Sequence, residues 1–260
     1  EFTATSYAAL GSALVRIPLV STMHGKNYWP ERVYRRRALN WAARSSHAFV
    51  VVSEDLKKFA SSVLSLSEDR VRVVPNGIDL KAFAPDDLVS VRVREELAAS
   101  PNDVVIVIVG ALEPVKGHAL LIEAMTEVRR RHPTAKLWIV GEGYLRDELE
   151  SQVARLGLCE AITFLGWRTD VHRLLAAADF SVLASESEGM PLAVMESMAC
   201  ARPVVATRVG GLGELVNSGV TGILVEPGNV RELARAMCLL VAEPQRRAAY
   251  GAASREQAKQ

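Results

Sequence analysis

The sequence of 260 residues has few cysteines, almost no net charge and no long apolar run. Its three cysteines, Cys159, Cys200 and Cys238, are far apart and form no CxxC pair, which argues against a disulfide scaffold and indicates a reducing compartment. A formal net charge of +1 gives no electrostatic reason to expect a nucleic-acid partner. No segment approaches the roughly 18 consecutive apolar residues of a membrane span, and the N-terminus shows no signal peptide. These absences predict a cytoplasmic globular protein.

Several common catalytic and cofactor-binding motifs are missing as well. A P-loop is excluded because Val20 and Asn27 stand where it needs a glycine and a serine or threonine. A dinucleotide fingerprint that opens at Gly141 has Arg146 at its third glycine position. The sequence contains no GxSxG, HExxH or DxD motif, so a serine hydrolase, a zinc protease and a metal-clamped sugar-nucleotide site have no support. We expect no metal and no other cofactor.

Short apolar runs alternate with longer helical patterns along the chain. Several runs are apolar throughout, which is typical of strands that are covered on both faces. The predicted strands are residues 18–22, 48–53, 71–75, 104–110, 136–141, 162–166, 180–184, 203–207 and 222–226. Helices are predicted over residues 118–132, 144–157 and 229–243. This alternation favours an α/β fold with doubly wound parallel sheets.

A domain boundary is predicted near residues 75–90. The Pro-Asn-Gly sequence at residues 75–77 is a strong turn signal, and residues 83–87 contain a proline followed by two aspartates, as linkers often do. Three strands precede this region, which is too few for a complete doubly wound sheet, whereas six strands follow it. We therefore divide the sequence into a truncated N-terminal domain, residues 1–84, and a C-terminal domain, residues 85–260. We expect the chain to be a fragment of a longer protein.

The stretch SESEGMPLAVMESMA, residues 185–199, is the candidate ligand site. Residues 185–190 are predicted to be a loop at the carboxyl edge of the sheet, followed by a helix from Pro191 through Ala199. The free N–H groups and the positive end of such a helix suit a phosphate. Glu188 and Glu196 would lie on either side of that phosphate, where carboxylates accept hydrogen bonds from sugar or ribose hydroxyls. On spacing alone, two solvated surface charges explain these glutamates equally well.

The spacing from Glu188 to Glu196 resembles the E-x7-E signature of the family-4 retaining glycosyltransferases, which have the GT-B fold. Other segments resemble that family's motifs in the same order, and they include STMHG (21–25), VRVVPNGID (71–79), VGALEPVKG (109–117) and GGLGELVNSGVTGILVEPGN (210–229). The resemblance covers about residues 17 to 245. It implies two Rossmann-like domains that face each other across a cleft, of which the first is truncated here.

The resemblance also implies which residues bind the donor. Glu196 would hydrogen-bond the ribose of a nucleoside-diphosphate sugar. The backbone amides of Gly189, Met190 and Leu192 would hold the diphosphate.

Three residues would act at the reacting centre. Lys116 would contact the diphosphate and balance the charge of the leaving group, Glu188 would position the sugar, and His24 would face the sugar from the N-terminal domain. Without the resemblance, an exposed turn lysine and a structural histidine would be the more common interpretations. The implied reaction transfers a sugar to a hydroxyl of a saccharide, a lipid-linked molecule or a small molecule, with retention and without a metal.

The sequence departs from the family pattern in ways that keep other functions open. Ala111 stands where the family commonly has an arginine, and the first βα units and a last C-terminal helix are not found. A nucleotide-sugar-binding fragment or pseudoenzyme without transfer activity is therefore one alternative. A UDP-sugar 2-epimerase of the same fold is another, although the E-x7-E stretch argues against it.

Residues 27–46 combine arginines with aromatic residues. Arg32 and Arg35–Arg37 lie near Tyr28, Trp29, Tyr34 and Trp41 in the sequence. A solvated basic helix face is the more common explanation of such a pattern. The alternative is an interfacial helix that contacts the inner face of the cell membrane.

Overall fold

The chain is an α/β protein with two parallel sheets, as the sequence predicts. The structure is a computed structural model that describes residues 2–26 and 33–260. All nine predicted strands are present, and their ends differ from the predicted ends by two residues or fewer. The strands are β1 (Val20–Met23), β2 (Ala48–Val51), β3 (Val71–Val73), β4 (Val104–Val109), β5 (Ala135–Val140), β6 (Ile162–Gly166), β7 (Phe180–Leu183), β8 (Val204–Thr207) and β9 (Gly222–Val225).

The helices confirm those predicted and add others. They are α1 (Phe2–Val15), α2 (Val33–Ser45), α3 (Glu54–Leu64), α4 (Asp87–Glu96), α5 (His118–Arg131), α6 (Arg146–Arg155), α7 (Val171–Ala177), α8 (Leu192–Ala199), α9 (Leu212–Leu215), α10 (Val230–Ala242) and α11 (Pro244–Ala258). Short 3-10 turns cover Glu68–Arg70 and Pro114–Lys116. Helix α6 begins two residues later than predicted. Within the described ranges, no helix has the length and apolar character needed to cross a membrane.

The first of two compact units contains the residues up to Gly77 together with two later segments, Ser187–Pro191 and Gly210–Glu214. Its three strands are parallel and lie in the order β1-β2-β3. Helix α3 presents Leu56, Ala60 and Leu64 to the core at a spacing of four residues, and each is fully buried. The two later segments belong to this unit although they follow β7 and β8 in the chain.

The second unit contains Ile78–Glu186, Leu192–Val209 and Leu215–Gln260. Its six parallel strands lie in the order β6-β5-β4-β7-β8-β9, which is the Rossmann order. Residues 105–108 of the central strand β4 are completely buried, because helices cover both faces of the sheet. The strand order reverses between β4 and β7. Ligands of such sheets bind outside the carboxyl ends of the strands at this switch point. The predicted domain boundary after residue 84 stays a prediction.

Candidate functional site

The loop that follows β7 begins at the switch point of the six-stranded sheet. Strand β7 ends at Leu183, and helix α8 begins at Leu192, one residue later than predicted. The buried hydroxyl of Ser197 on α8 donates a hydrogen bond of 2.7 Å to Ser181 on β7. This bond ties the helix to the strand that precedes it. Neither Pro191 nor Met190 has a side-chain oxygen that could cap α8, so the residue types before the helix leave its first N–H groups to other acceptors.

Lys116 lies in a turn that packs on the first residues of this loop. Gly117 has a left-handed φ of +68°, and a Cβ there would overlap the carbonyl oxygen of Ala184. The N–H of Glu186 donates a hydrogen bond of 2.9 Å to the carbonyl of Val115. The lysine turn follows β4 and the loop follows β7, which are neighbouring strands. The structure therefore brings Lys116 and the start of the loop together at the switch point.

His118, which the sequence analysis did not select, is the first residue of α5 and follows Lys116 by two residues. Its side chain is 1% exposed, and neither ring nitrogen has a hydrogen-bond partner among the described residues. Burial, followed by the positive charge of Lys116, lowers the pKa of His118 to about 4. The imidazole is therefore neutral at pH 7. It fills core space and adds no second charge beside the lysine.

Glu196 and Leu192 belong to the second unit, on α8. Glu196 is half-buried, and burial raises the pKa of its carboxyl above the usual value. A partly desolvated carboxylate gains more from hydroxyl donors than a fully solvated one does, because less water must be displaced. Leu192 is the first residue of α8 and is exposed, so its side chain does not bury the N-terminal end of the helix.

The remaining predicted residues, His24, Glu188, Gly189 and Met190, all belong to the first unit. His24 follows β1 and is exposed, whereas Glu188 and Met190 are each 8% exposed. A Cβ on Gly189 would overlap the carbonyl oxygen of His24, so the two backbones are in direct contact. The structure thus places the predicted histidine beside the loop that carries Glu188.

Three residues that the sequence analysis gave no role hold this loop in place. The side-chain amide of Asn76 donates a hydrogen bond of 2.8 Å to the carbonyl of Met190. A Cβ on Gly210, which has a φ of +50°, would overlap the carbonyl oxygen of Glu188. The N–H of Gly211 donates a bond of 2.9 Å to the carbonyl of Gly189. The adjacent glycines of GGLGE were the available sequence signal, because such a pair often marks a close approach of two backbones.

Two other features of the sequence are Ala111 and the basic, aromatic segment of residues 27–46, of which the structure describes residues 33–46. Ala111 is exposed after β4, so no cation stands at the position where an arginine is common. On α2, Tyr34, Trp41 and Arg35–Arg37 are exposed. Tyr28, Trp29 and Arg32 lie outside the described residues. In residues 2–26 and 33–260, no group of three or more histidine, cysteine or carboxylate side chains is placed to hold a metal ion.

The fold class is shown by solved structures that share this architecture. The structure of the Anabaena protein HepE in complex with UDP-glucose is similar over the whole chain, with a TM-score of 0.91 and 28% identity, and the match covers 72% of that protein. Sucrose-phosphate synthase from Thermosynechococcus elongatus has a TM-score of 0.86 at 23% identity over 98% of this chain and 67% of its own, which shows the fold alone. These neighbours are GT-B glycosyltransferases, and the predicted GT-B fold is confirmed.

The family is shown by matches along the sequence. Residues 103–243 match the family described as Glycosyl transferases group 1, and residues 2–82 match Glycosyltransferase Family 4. Because the first match covers more than half of the chain, this protein belongs to the group 1 glycosyl transferases. The predicted family-4 membership fits the second match.

Two named relatives are similar over most of the chain. The D-inositol 3-phosphate glycosyltransferase of Rhodococcus erythropolis is 31% identical in an alignment of 258 positions that covers 91% of this chain and 57% of that protein. The GDP-mannose-dependent alpha-(1-6)-phosphatidylinositol monomannoside mannosyltransferase of Mycolicibacterium smegmatis is 31% identical in an alignment of 249 positions that covers 91% of this chain and 64% of that protein. The chain spans about half the length of the curated relatives that it matches.

Proposed function

We propose that this chain binds a nucleoside-diphosphate sugar and serves in a retaining, metal-independent glycosyltransferase. The observation that carries the proposal is the packing of the Lys116 turn on the loop that leads into α8. This packing sets the backbone on either side of Lys116 against the start of a loop that leads to a helix N-terminus, both at the switch point of a Rossmann-order sheet. The printed names of similar proteins support a nucleotide donor, since one neighbour was solved with UDP-glucose and one relative depends on GDP-mannose.

In this proposal the diphosphate is bound mainly by backbone dipoles. The amides of Gly189, Met190 and Leu192 and the positive end of α8 supply hydrogen-bond donors, and Lys116 adds a full positive charge. The overlap of a Gly189 Cβ with the His24 carbonyl means that no side chain fits at residue 189 without movement of the backbone. We assign no metal, because the lysine and the fixed dipoles balance the diphosphate charge.

The two glutamates receive different roles in the proposal. Glu196 accepts hydrogen bonds from the ribose hydroxyls, which is consistent with its half-buried position on α8. Glu188 binds hydroxyls of the donor sugar. Its backbone is fixed by the contact with Gly210. His24 is assigned to the sugar end, since its carbonyl lies against the residue after Glu188.

The proposed reaction breaks the bond between the anomeric carbon and the diphosphate oxygen. A bond from the anomeric carbon to the acceptor oxygen forms on the same face, and the acceptor proton leaves with the nucleoside diphosphate. Negative charge grows on the departing diphosphate, and Lys116 together with the fixed amides stabilises it as it grows. The acceptor is a saccharide, a lipid-linked molecule or a small molecule with a free hydroxyl.

One observation favours a second candidate, which is donor binding without transfer. Ala111 is exposed and supplies no cation after β4. An assay of nucleoside diphosphate release from UDP-glucose and GDP-mannose, with inositol 3-phosphate as an acceptor and EDTA present, separates the two candidates. Acceptor-dependent release supports the transferase. Tight donor binding with no release supports the binding-only candidate.

We also propose that exposed residues of α2 contact the inner surface of the cell membrane. Arg35–Arg37 would attract anionic lipid head groups while Tyr34 and Trp41 enter the interface. Co-sedimentation with vesicles of phosphatidylcholine alone, or with one-third phosphatidylglycerol, tests this contact. We expect binding to the anionic vesicles only, reduced when the three arginines are replaced by glutamine. Equal recovery with both kinds of vesicle would contradict it.

A further inference from the structure

Glu214 joins two parts of the first unit that are far apart in the sequence. Its Oε2 accepts a hydrogen bond of 3.0 Å from the N–H of Glu54, and its Oε1 accepts one of 2.9 Å from the N–H of Asp55. These are the first two N–H groups of α3, and they lie 160 and 159 positions away in the chain. Both carboxylate oxygens are therefore used, at the end of the helix that carries positive partial charge.

Helix α3 already has a local cap. The hydroxyl of Ser53 accepts a hydrogen bond of 3.2 Å from the N–H of Leu56, and the N–H of Lys57 donates to the carbonyl of Ser53. Ser53 thus accounts for the third N–H of the helix, while Glu214 accounts for the first two. The two caps are made by side chains from different places in the sequence, so they can be removed one at a time.

The segment Gly210–Glu214 also contacts the loop that carries Glu188. A Cβ on Gly210 would overlap the carbonyl oxygen of Glu188, and the N–H of Gly211 donates a hydrogen bond of 2.9 Å to the carbonyl of Gly189. Within the segment, the N–H of Glu214 donates a bond of 3.1 Å to the carbonyl of Gly211. A continuous series of short contacts therefore runs from the N-terminus of α3 through Glu214 and the two glycines to residues 188 and 189.

We propose that Glu214 is a positioning residue for the loop between β7 and α8, residues 184–191, which we call the donor loop. Its carboxylate anchors Gly210–Glu214 to α3, and the anchored segment holds the backbone at residues 188 and 189 in the conformation that binds the diphosphate. Both carboxylate oxygens of Glu214 are occupied by α3, so its effect on donor affinity passes through backbone contacts. This inference rests on the proposed function, in which residues 188 and 189 bind the donor.

The test compares two caps of the same helix. Glu214→Ala removes the anchor, and Glu214→Gln keeps the size with one acceptor. Ser53→Ala removes the other cap of α3 but keeps the Ser53 Cβ, which lies beside Gly211, and keeps both hydrogen bonds of Glu214. Thermal unfolding gives the stability of each variant, and calorimetry gives its affinity for the nucleoside diphosphate that the wild type binds. Hydrogen exchange at the Gly211 N–H reports the loop contact directly. Because Glu214 is exposed and Ser53→Ala removes only the hydroxyl of a buried side chain, we expect all three variants to fold.

We expect Glu214→Ala to weaken nucleotide binding by at least about fivefold, the lower end of typical coupling between sites, and to speed exchange at Gly211. The nucleotide affinity of Glu214→Gln should lie between those of Glu214→Ala and the wild type. Ser53→Ala should retain wild-type affinity even if its melting temperature falls as much as that of Glu214→Ala. Wild-type affinity and exchange in Glu214→Ala would overturn the inference while leaving the proposed function intact. No nucleotide binding by the folded wild type would overturn the proposed function and the inference with it.

Discussion

Replacement of Glu196 by alanine is the most informative single substitution in the proposed donor site. The carboxyl is half-buried on α8, and burial raises its pKa, so part of its hydration is already lost before the ligand binds. In the proposal, two ribose hydroxyls donate to this carboxylate. Loss of hydrogen bonds to a charged group costs about 1.5–3 kcal/mol, which corresponds to a roughly 10- to 150-fold rise in Kd.

The assay is calorimetric titration of the wild type, Glu196→Ala and Glu196→Gln with the nucleoside diphosphate that the wild type binds. Glu186→Ala is the matched control, since Glu186 is an exposed glutamate at the start of the same loop. We expect wild-type affinity in the control and an intermediate loss in Glu196→Gln, because an amide oxygen still accepts a hydrogen bond. Equal affinity in Glu196→Ala and the wild type would refute the assignment of Glu196 to the ribose.

The raised pKa of Glu196 adds a pH test with a definite sign. Below its raised pKa the carboxyl of the free protein is protonated and is a weaker acceptor, so wild-type affinity should fall as the pH is lowered through that value. Glu196→Gln should show only the pH dependence of the nucleotide itself. In the absence of ligand, the folded protein holds this proton more tightly than the unfolded chain does. The contribution of Glu196 to stability therefore declines as the pH rises through the raised pKa.

Three further substitutions test other parts of the account. Gly189→Ala should abolish nucleotide binding and lower the melting temperature, because its Cβ overlaps the carbonyl of His24; unchanged binding in calorimetry would refute that close packing. His24→Ala should lower kcat more than donor affinity, and wild-type kcat would remove His24 from the site. His118→Leu should remove an acid-induced loss of stability, because the folded-state pKa of about 4 lies below the usual 6.5 and the unfolded chain takes up the proton first. Over that pH range, protonation of His118 lowers the free energy of unfolding of the wild type by on the order of 3 kcal/mol. Urea titrations at pH 7 and pH 4 that show the same loss in the wild type and in His118→Leu would contradict this prediction.

The strands were predictable because their pattern is local. Runs such as residues 104–110 are apolar throughout, and only strands or helices covered on both sides tolerate such runs. Helix α11 was not predicted, because its packed face does not have an apolar pattern. Gly251 lies against the backbone of Ala201, and the buried hydroxyl of Ser254 donates to the carbonyl of Thr221. Close packing through small residues leaves no hydrophobic periodicity to detect.

The candidate residues were predictable from motif spacing, but the contacts that hold them were not. The approach of Gly117 to Ala184 depends on β4 and β7 being neighbours, and 70 residues separate the ends of these strands in sequence. Asn76 was a turn signal in the sequence and is a hydrogen-bond donor to Met190 in the structure. Such contacts depend on the tertiary arrangement, which local rules of propensity and motif spacing do not predict.

The most direct test of the central claim is calorimetric titration of this chain with UDP, GDP and ADP, each with and without magnesium. The account predicts that one of these nucleotides binds, with the same affinity in the presence of magnesium and of EDTA. It further predicts that Lys116→Ala weakens this binding, because the lysine turn packs on the donor loop. The account would be contradicted if the chain unfolds cooperatively but binds none of the three nucleotides. Binding that requires magnesium would also contradict it.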